Sequence, residues 1–239
     1  MTLAVVAAME PELKELRSRL KQPVLHNRAG FEFHEGILAG QKTVLLLSGI
    51  GKVNAAVGTA LLMERYKPDA VINTGVAGGF GQQLKVGDIV LSSEVRHHDV
   101  DVRPFGYEMG QVPQMPAGFA PDEKLLQLAK EQAAGSGDAA VHKGLIVSGD
   151  IFIHEPADAS RILGNFPGAL AGEMEAAAVA QTCHLFGVPW VIARSISDVI
   201  GRGGNAMEYS EFLPMAASRS ADFVTRMAAA VKEEHERSL

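Results

Sequence analysis

Short, uninterrupted apolar runs recur along this chain, and helical patterns separate most of them. The first run, Leu3 to Ala8, is apolar at every position, the mark of a strand covered on both faces. Pro11 then opens a helical pattern with Leu13, Leu16 and Leu20 on one side. Phe31 to Leu38 alternates like a half-buried strand, and Thr43 to Leu47 is again a buried run. A helix from about Val53 to Tyr66 is expected to end before Pro68. Further buried strands are expected at Ala70 to Asn73, Asp88 to Leu91, Gly144 to Val147 and Trp190 to Ala193. Helices are expected at Glu123 to Gln132, Glu175 to Phe186 and Glu211 to about Lys232. Strands of this kind need cover on both sides, so the class is α/β, with a largely parallel or mixed central β-sheet flanked by helices.

The 239 residues suit one large α/β domain as readily as two small ones, and no repeat or linker divides them. A single domain, 1–239, is therefore expected. Weak order is expected in Gln132 to Asp138, rich in Ala, Gly and Ser, and in the charged tail from Lys232 to Leu239, frayed over about 233–239. The formal charge of -6 is spread along the chain without a Lys/Arg run, which argues against nucleic acid and membrane surfaces as partners. Cys183 is the only cysteine, which rules out an intrachain disulfide and fits a reducing, cytoplasmic location. Met1 to Ala8 is short, lacks a basic leader and runs into Glu10 and Glu12, so it does not read as a signal peptide.

One connection is too apolar for an ordinary surface loop. Arg96 to Pro121 carries Val102, Phe105, Tyr107, Met109, Val112, Pro113, Met115 and Phe119 without a clean period. A loop this long and apolar needs cover. A second subunit is the expected cover, and folding back onto its own domain is the alternative.

Four segments carry candidate chemistry. Met9-Glu10-Pro11-Glu12 follows the first strand, and in open α/β folds the carboxyl ends of strands form the ligand crevice. Glu12 would face that crevice, although the helix dipole alone favours an acid there. Ser48-Gly49-Ile50-Gly51-Lys52-Val53-Asn54 is a glycine turn between strand and helix. It lacks the leading glycine of a Walker loop, where Leu46 sits, and the hydroxyl after the lysine, where Val53 sits. The next strand also lacks the acid that a dinucleotide fold uses on the ribose. A tight strand-to-helix turn is the better account. In Glu173-Met174-Glu175 the two acids can share a face, with Met174 on the other, or can cap the Ala-rich helix that follows. Finally, the strand at Trp190 delivers Arg194, Ser195, Ser197 and Asp198 to the crevice side, with helix N-capping by Ser197 or Asp198 as the competing role. His97, His98, Asp99 and Asp101 suit a metal by type, but no second cluster at ligand spacing completes a site, and no metal is expected.

Taken in order, six segments resemble the methylthioadenosine/S-adenosylhomocysteine nucleosidases of the purine nucleoside phosphorylase superfamily. They are Ala8 to Glu12, Gly49 to Asn54, Asn73 to Gly79, Gly149 to Ile153, Glu173 to Glu175 and Arg194 to Asp198, and the likeness covers nearly the whole chain. The resemblance implies a three-layer fold, a homodimer, and hydrolysis of a nucleoside N9–C1′ bond without metal or cofactor. It implies that Glu12 activates the attacking water, with Arg194 nearby, and that Asp198, beside Ser197, is the acid at purine N7. Glu175 would accept ribose hydroxyls, with Met174 against the sugar. Phe152 would stack on adenine while the backbone of Ile153 reads its edge. Met9, Ile50 and Tyr209 match positions along the sugar and alkylthio pocket, and Val76 and Gly78 fall on its wall. Val102, Phe105 and Pro113 match positions that the partner subunit contributes.

Loss of adenine leaves an oxocarbenium-like ribose, so the chemistry needs an acid for the leaving base and negative charge near the sugar. Two carboxyl groups with opposed tasks need different environments. Val76 departs from several members that carry a hydroxyl there, which removes any hydrogen bond from that site. An aminodeoxyfutalosine substrate and a phosphate-dependent phosphorylase stand as alternatives. A nicotinamide-binding oxidoreductase, resting on the Gly49/Gly51 turn, is the reading from another class.

Overall fold

The computed structural model describes residues 1–81, 83–134, 139–200 and 205–237. Nine strands form one sheet in the order β2-β3-β4-β1-β5-β8-β7-β6-β9. They are β1 (Leu3–Ala7), β2 (Lys21–Arg28), β3 (Phe31–Leu38), β4 (Gln41–Leu47), β5 (Ala70–Gly79), β6 (Ile89–His97), β7 (Val141–Ser148), β8 (Ala169–Glu173) and β9 (Trp190–Val199). The helices are α1 (Glu10–Arg19), α2 (Lys52–Tyr66), α3 (Glu123–Ala134), α4 (Pro156–Asn165), α5 (Ala176–Phe186) and α6 (Asn205–Arg237). The sheet is mixed: β1 runs parallel to β4 and β5, while β3 lies antiparallel to β4, and β6 antiparallel to β9. Because β5 also pairs with β9, strands β5, β8, β7, β6 and β9 close on themselves, leaving β2 as an exposed edge.

The apolar runs behave as their composition demands. Along β1, Ala4 and Val6 face the core built with Ala55 and Leu62 of α2 and Val179 of α5, while Leu3, Val5 and Ala7 face Leu13 and Leu16 of α1 and Phe223 and Val224 of α6. Burial of both faces gives the expected helix-sheet-helix arrangement.

Some elements differ from the sequence reading. β5, β6, β7 and β9 run longer than their apolar cores, because pairing carries the ladder into polar and glycine positions such as Gly75 and Ser195. β2, β8 and α4 were not expected; β2 is exposed along most of its length, so hydrophobicity does not mark it. Through the charged tail α6 continues to Arg237, with Lys232–Glu236 and Arg237–Glu234 pairs and His235 and Arg237 in its last turn. Of the stretch expected to be loose before Asp138, residues up to Ala134 end α3, and 135–138 lie outside the described residues, as do 238–239 of the tail.

The long connection folds part of its apolar length back onto its own domain and leaves part exposed. Phe119 pairs with Val95 and is buried, Met115 packs on the main core, and Met109 packs beside Phe166. Phe105, in a short 3-10 turn at Arg103–Phe105, is 81% exposed.

Candidate active site

Parallel strands β1, β5 and β9 end side by side, and their carboxyl ends build one pocket of roughly 240 Å³. Met9 and Glu12 come from the end of β1, Val76 and Gly78 from β5, Met174 and Glu175 from the end of β8, and Ser197 and Asp198 from β9. Ile50, Phe152, Ile153 and Tyr209 complete the wall, so these expected residues are brought together. Arg194 stands behind the lining, 1% exposed. Val102, Phe105 and Pro113 do not line the pocket.

Glu12 is held from three sides. Oε2 accepts the N–H groups of Ala8 and Met9, both at 2.9 Å, and Oε1 accepts that of Val76 at 3.0 Å. The carboxylate thus caps its own helix and faces the pocket, so the two roles weighed from sequence coexist. Burial raises its pKa above the ordinary carboxylate value, opposed by the charge of Arg194 and by the three N–H bonds. The expected loss of hydrogen bonding at Val76 holds for the side chain only, because its backbone supplies a donor to Glu12.

Arg194 is fixed by Asn73 Oδ1 at 2.8 Å, the Thr74 carbonyl at 3.2 Å and Glu173 Oε2 at 2.5 Å, with Glu175 Oε2 at 3.8 Å. Glu173 and Glu175 divide the work that spacing left open. Glu173 takes Ser148 Oγ and the N–H groups of Glu175 and Ala176, so its carboxylate satisfies the leading N–H groups of α5 and anchors Arg194. Glu175 Oε1 instead accepts the Gly51 N–H at 2.9 Å. Burial, then the neighbouring Glu173 charge, pushes the Glu175 pKa up.

The N-capping alternative for Ser197 and Asp198 is displaced, since β9 runs through both. Ala77 pairs with Ile196 and Gly78 with Asp198, so Ser197 is the extra residue of a bulge. Such bulges re-aim side chains beside active sites. Ser197 Oγ donates to Asp198 Oδ1 at 2.8 Å, and both residues are buried. Across the pocket, Tyr209 donates to Met9 Sδ at 3.2 Å and meets the Phe152 ring edge-on at 5.5 Å.

Of the histidine cluster, His97 bonds Gln181, Asp99 takes Lys52 and Asp101 takes Arg103, while His98 is fully buried with neither ring nitrogen hydrogen-bonded among the described residues. Sequence reasoning did not find the contributions of Gly51, Gly75, Asn73 and Ser148, which lie on distant segments; Glu173 was visible only as a second acid.

The phosphorylase superfamily model matches residues 2–229. The 5'-methylthioadenosine/S-adenosylhomocysteine nucleosidase of Chromohalobacter salexigens is 52% identical over 225 residues, covering 94% of this chain and 95% of that protein. This chain belongs to the methylthioadenosine/S-adenosylhomocysteine nucleosidase family of the phosphorylase superfamily. Among solved structures, this nucleosidase family is represented by the Neisseria meningitidis enzyme in complex with methylthio-immucillin-A. It is 48% identical with a TM-score of 0.93, covering 96% of this chain and 99% of that one. The futalosine hydrolase of Helicobacter pylori shares the fold at a TM-score of 0.89 but is 30% identical, with 98% of both chains covered. The nucleosidase family's α/β fold is the one expected from the apolar runs and the resemblance.

Proposed function

We propose that the chain hydrolyses the N9–C1′ bond of 5′-methylthioadenosine and S-adenosylhomocysteine, releasing adenine and the thioribose product for methionine salvage and methyl-cycle recycling. One observation carries hydrolysis over phosphorolysis. The N–H groups of Ala8, Met9 and Val76 converge at the base of the pocket, with Arg194 behind, as donors at an anion site would. The Glu12 carboxylate already fills that site. A phosphate there would lose those donors and meet a negative charge.

Each wall then has a task. Glu12, made more basic by burial, takes a proton from water aimed at C1′, with Arg194 beside it. Glu175 and Met174 hold the ribose. Asp198 gives a proton to adenine N7 as the base leaves, its carboxyl rotation fixed by Ser197. Phe152 stacks on the purine, the Ile153 backbone reads its edge, and Met9, Ile50 and Tyr209 take the 5′-alkylthio arm. Val76 and Gly78 form the wall beneath the sugar and base. The route uses only water, protons and these side chains.

The same reading includes a homodimer in the cytoplasm. Phe105, Val53 and Ile50, at 81%, 72% and 50% exposure, are apolar surface in search of cover, and the partner's Val102, Phe105 and Pro113 positions would close the 5′ side of the pocket. The substrate claim is tested by turnover of methylthioadenosine, S-adenosylhomocysteine, aminodeoxyfutalosine and inosine. The two thioether nucleosides are expected to lead in kcat/KM, and a clear preference for aminodeoxyfutalosine or inosine overturns the assignment.

A further inference from the structure

Helix α2 begins without a cap of its own: its first turn holds no acid, and Gly51, at φ 96°, offers no side chain. Two carboxylates from far along the chain take its leading N–H groups. Glu175 Oε1 accepts from Gly51 at 2.9 Å, and Asp150 Oδ1 accepts from Lys52 at 2.7 Å. Asp150 is itself tied down, its N–H donating to Asp99 Oδ2 at 3.0 Å, while Asp99 Oδ1 takes Lys52 Nζ at 2.6 Å. The ring is closed: Lys52 backbone to Asp150 side chain, Asp150 backbone to Asp99 side chain, Asp99 side chain to Lys52 side chain. The ion pair is largely shielded, with side-chain exposures of 18% for Lys52 and 27% for Asp99. A β-carbon at residue 51 would stand 3.1 Å from Asp150 Oδ1, so the turn is closed tightly on this acid.

We propose that Lys52, Asp99 and Asp150 are positioning residues that hold the Gly51 N–H against Glu175 and so fix the carboxylate that recognises the ribose hydroxyls. None of the three lines the pocket. Their effect passes through one N–H group. Glu175 has two oxygens, and the Gly51 bond sets the carboxylate plane, leaving the other oxygen directed by Arg194 at 3.8 Å. With the ring broken, the α2 end can withdraw and the carboxylate can turn. The inference rests on the reading of Glu175 as the ribose acceptor.

The test compares kcat/KM for methylthioadenosine with that for its 2′-deoxy and 3′-deoxy analogues in Lys52→Met, Lys52→Arg, Asp99→Asn and Glu175→Ala. A hydroxyl that loses its fixed acceptor loses its advantage, so Lys52→Met and Asp99→Asn should lower the preference for the full ribose by about tenfold, with turnover of the deoxy analogues nearly unchanged. Lys52→Arg should restore most of the preference. An equal loss on all substrates marks a merely structural role and overturns the proposal. So does an unchanged preference in Lys52→Met and Asp99→Asn when Glu175→Ala abolishes it. Should Glu175→Ala itself keep the preference, the ribose reading of Glu175 fails, and the proposal with it. Thermal melting of each variant identifies any that does not fold, and the other ring member then decides.

Discussion

Glu12 and Arg194 both crowd the bare Cα of Gly75: a β-carbon there would lie 2.6 Å from Glu12 Oε1 and 2.3 Å from Arg194 Nη1. Gly75 also holds φ 149°, a conformation that side-chain-bearing residues rarely adopt. The positions of both the buried acid and the buried cation therefore depend on a missing side chain on β5. Gly75→Ala should displace both groups, costing about 1–3 kcal/mol of stability. Because a 1 Å misplacement can cost roughly 100-fold, kcat/KM should fall by at least about that factor. Wild-type kinetics in a folded Gly75→Ala protein would mean that Glu12 and Arg194 need no such closeness.

Asp198 and Ser197 should separate in size of effect. General acid catalysis contributes about 100- to 10,000-fold, so Asp198→Asn is expected to lose that much kcat, whereas Ser197→Ala, which removes one hydrogen bond to that carboxyl, should lose about tenfold. Steady-state turnover of methylthioadenosine measures both. Intact turnover in Asp198→Asn removes it as the acid.

Glu175 gives a signed prediction in pH. Burial first, and the Glu173 charge second, push its pKa from 4.5 to about 8 in the folded protein. The fold then binds more protons than the unfolded chain between these values, so this group's contribution to stability falls as pH rises from about 4.5 to about 8 and is level above. Glu175→Gln removes that cost while keeping an acceptor for Gly51. Its melting temperature should exceed the wild type's by several degrees at about pH 8.5 and by little at about pH 5. The gain should come with lost activity, and an equal shift at both pH values contradicts the burial account.

How much of this was legible in the sequence differs by residue. Leu3 to Ala7 announced a strand covered on both sides because every residue is apolar, and the helix after Pro11 followed from spacing alone. Lys21 to Arg28 did not announce β2, since an exposed edge strand carries no hydrophobic signal. Within the site, Met9, Ser197 and Asp198 were readable as crevice positions, whereas Arg194, read the same way, lies behind the lining. Which of Glu173 and Glu175 would take the leading N–H groups of α5 was not readable, because the deciding partners, Arg194 and Gly51, lie 21 and 124 residues away. Likewise the Ser197 bulge depends on register with β5, which no local pattern encodes.

The exposed Phe105 predicts assembly. Sedimentation at working concentrations should give a dimer, and Phe105→Ala should raise KM for methylthioadenosine by about tenfold, the worth of one well-packed aromatic contact. A monomer with full activity refutes a shared pocket.

The central claim is that Glu12 fills the place a phosphate would need. Adenine release from methylthioadenosine, followed with and without added phosphate and with the sugar product identified, tests it most directly. The account predicts equal rates and free methylthioribose in both conditions. Release that requires phosphate and yields methylthioribose 1-phosphate would contradict it.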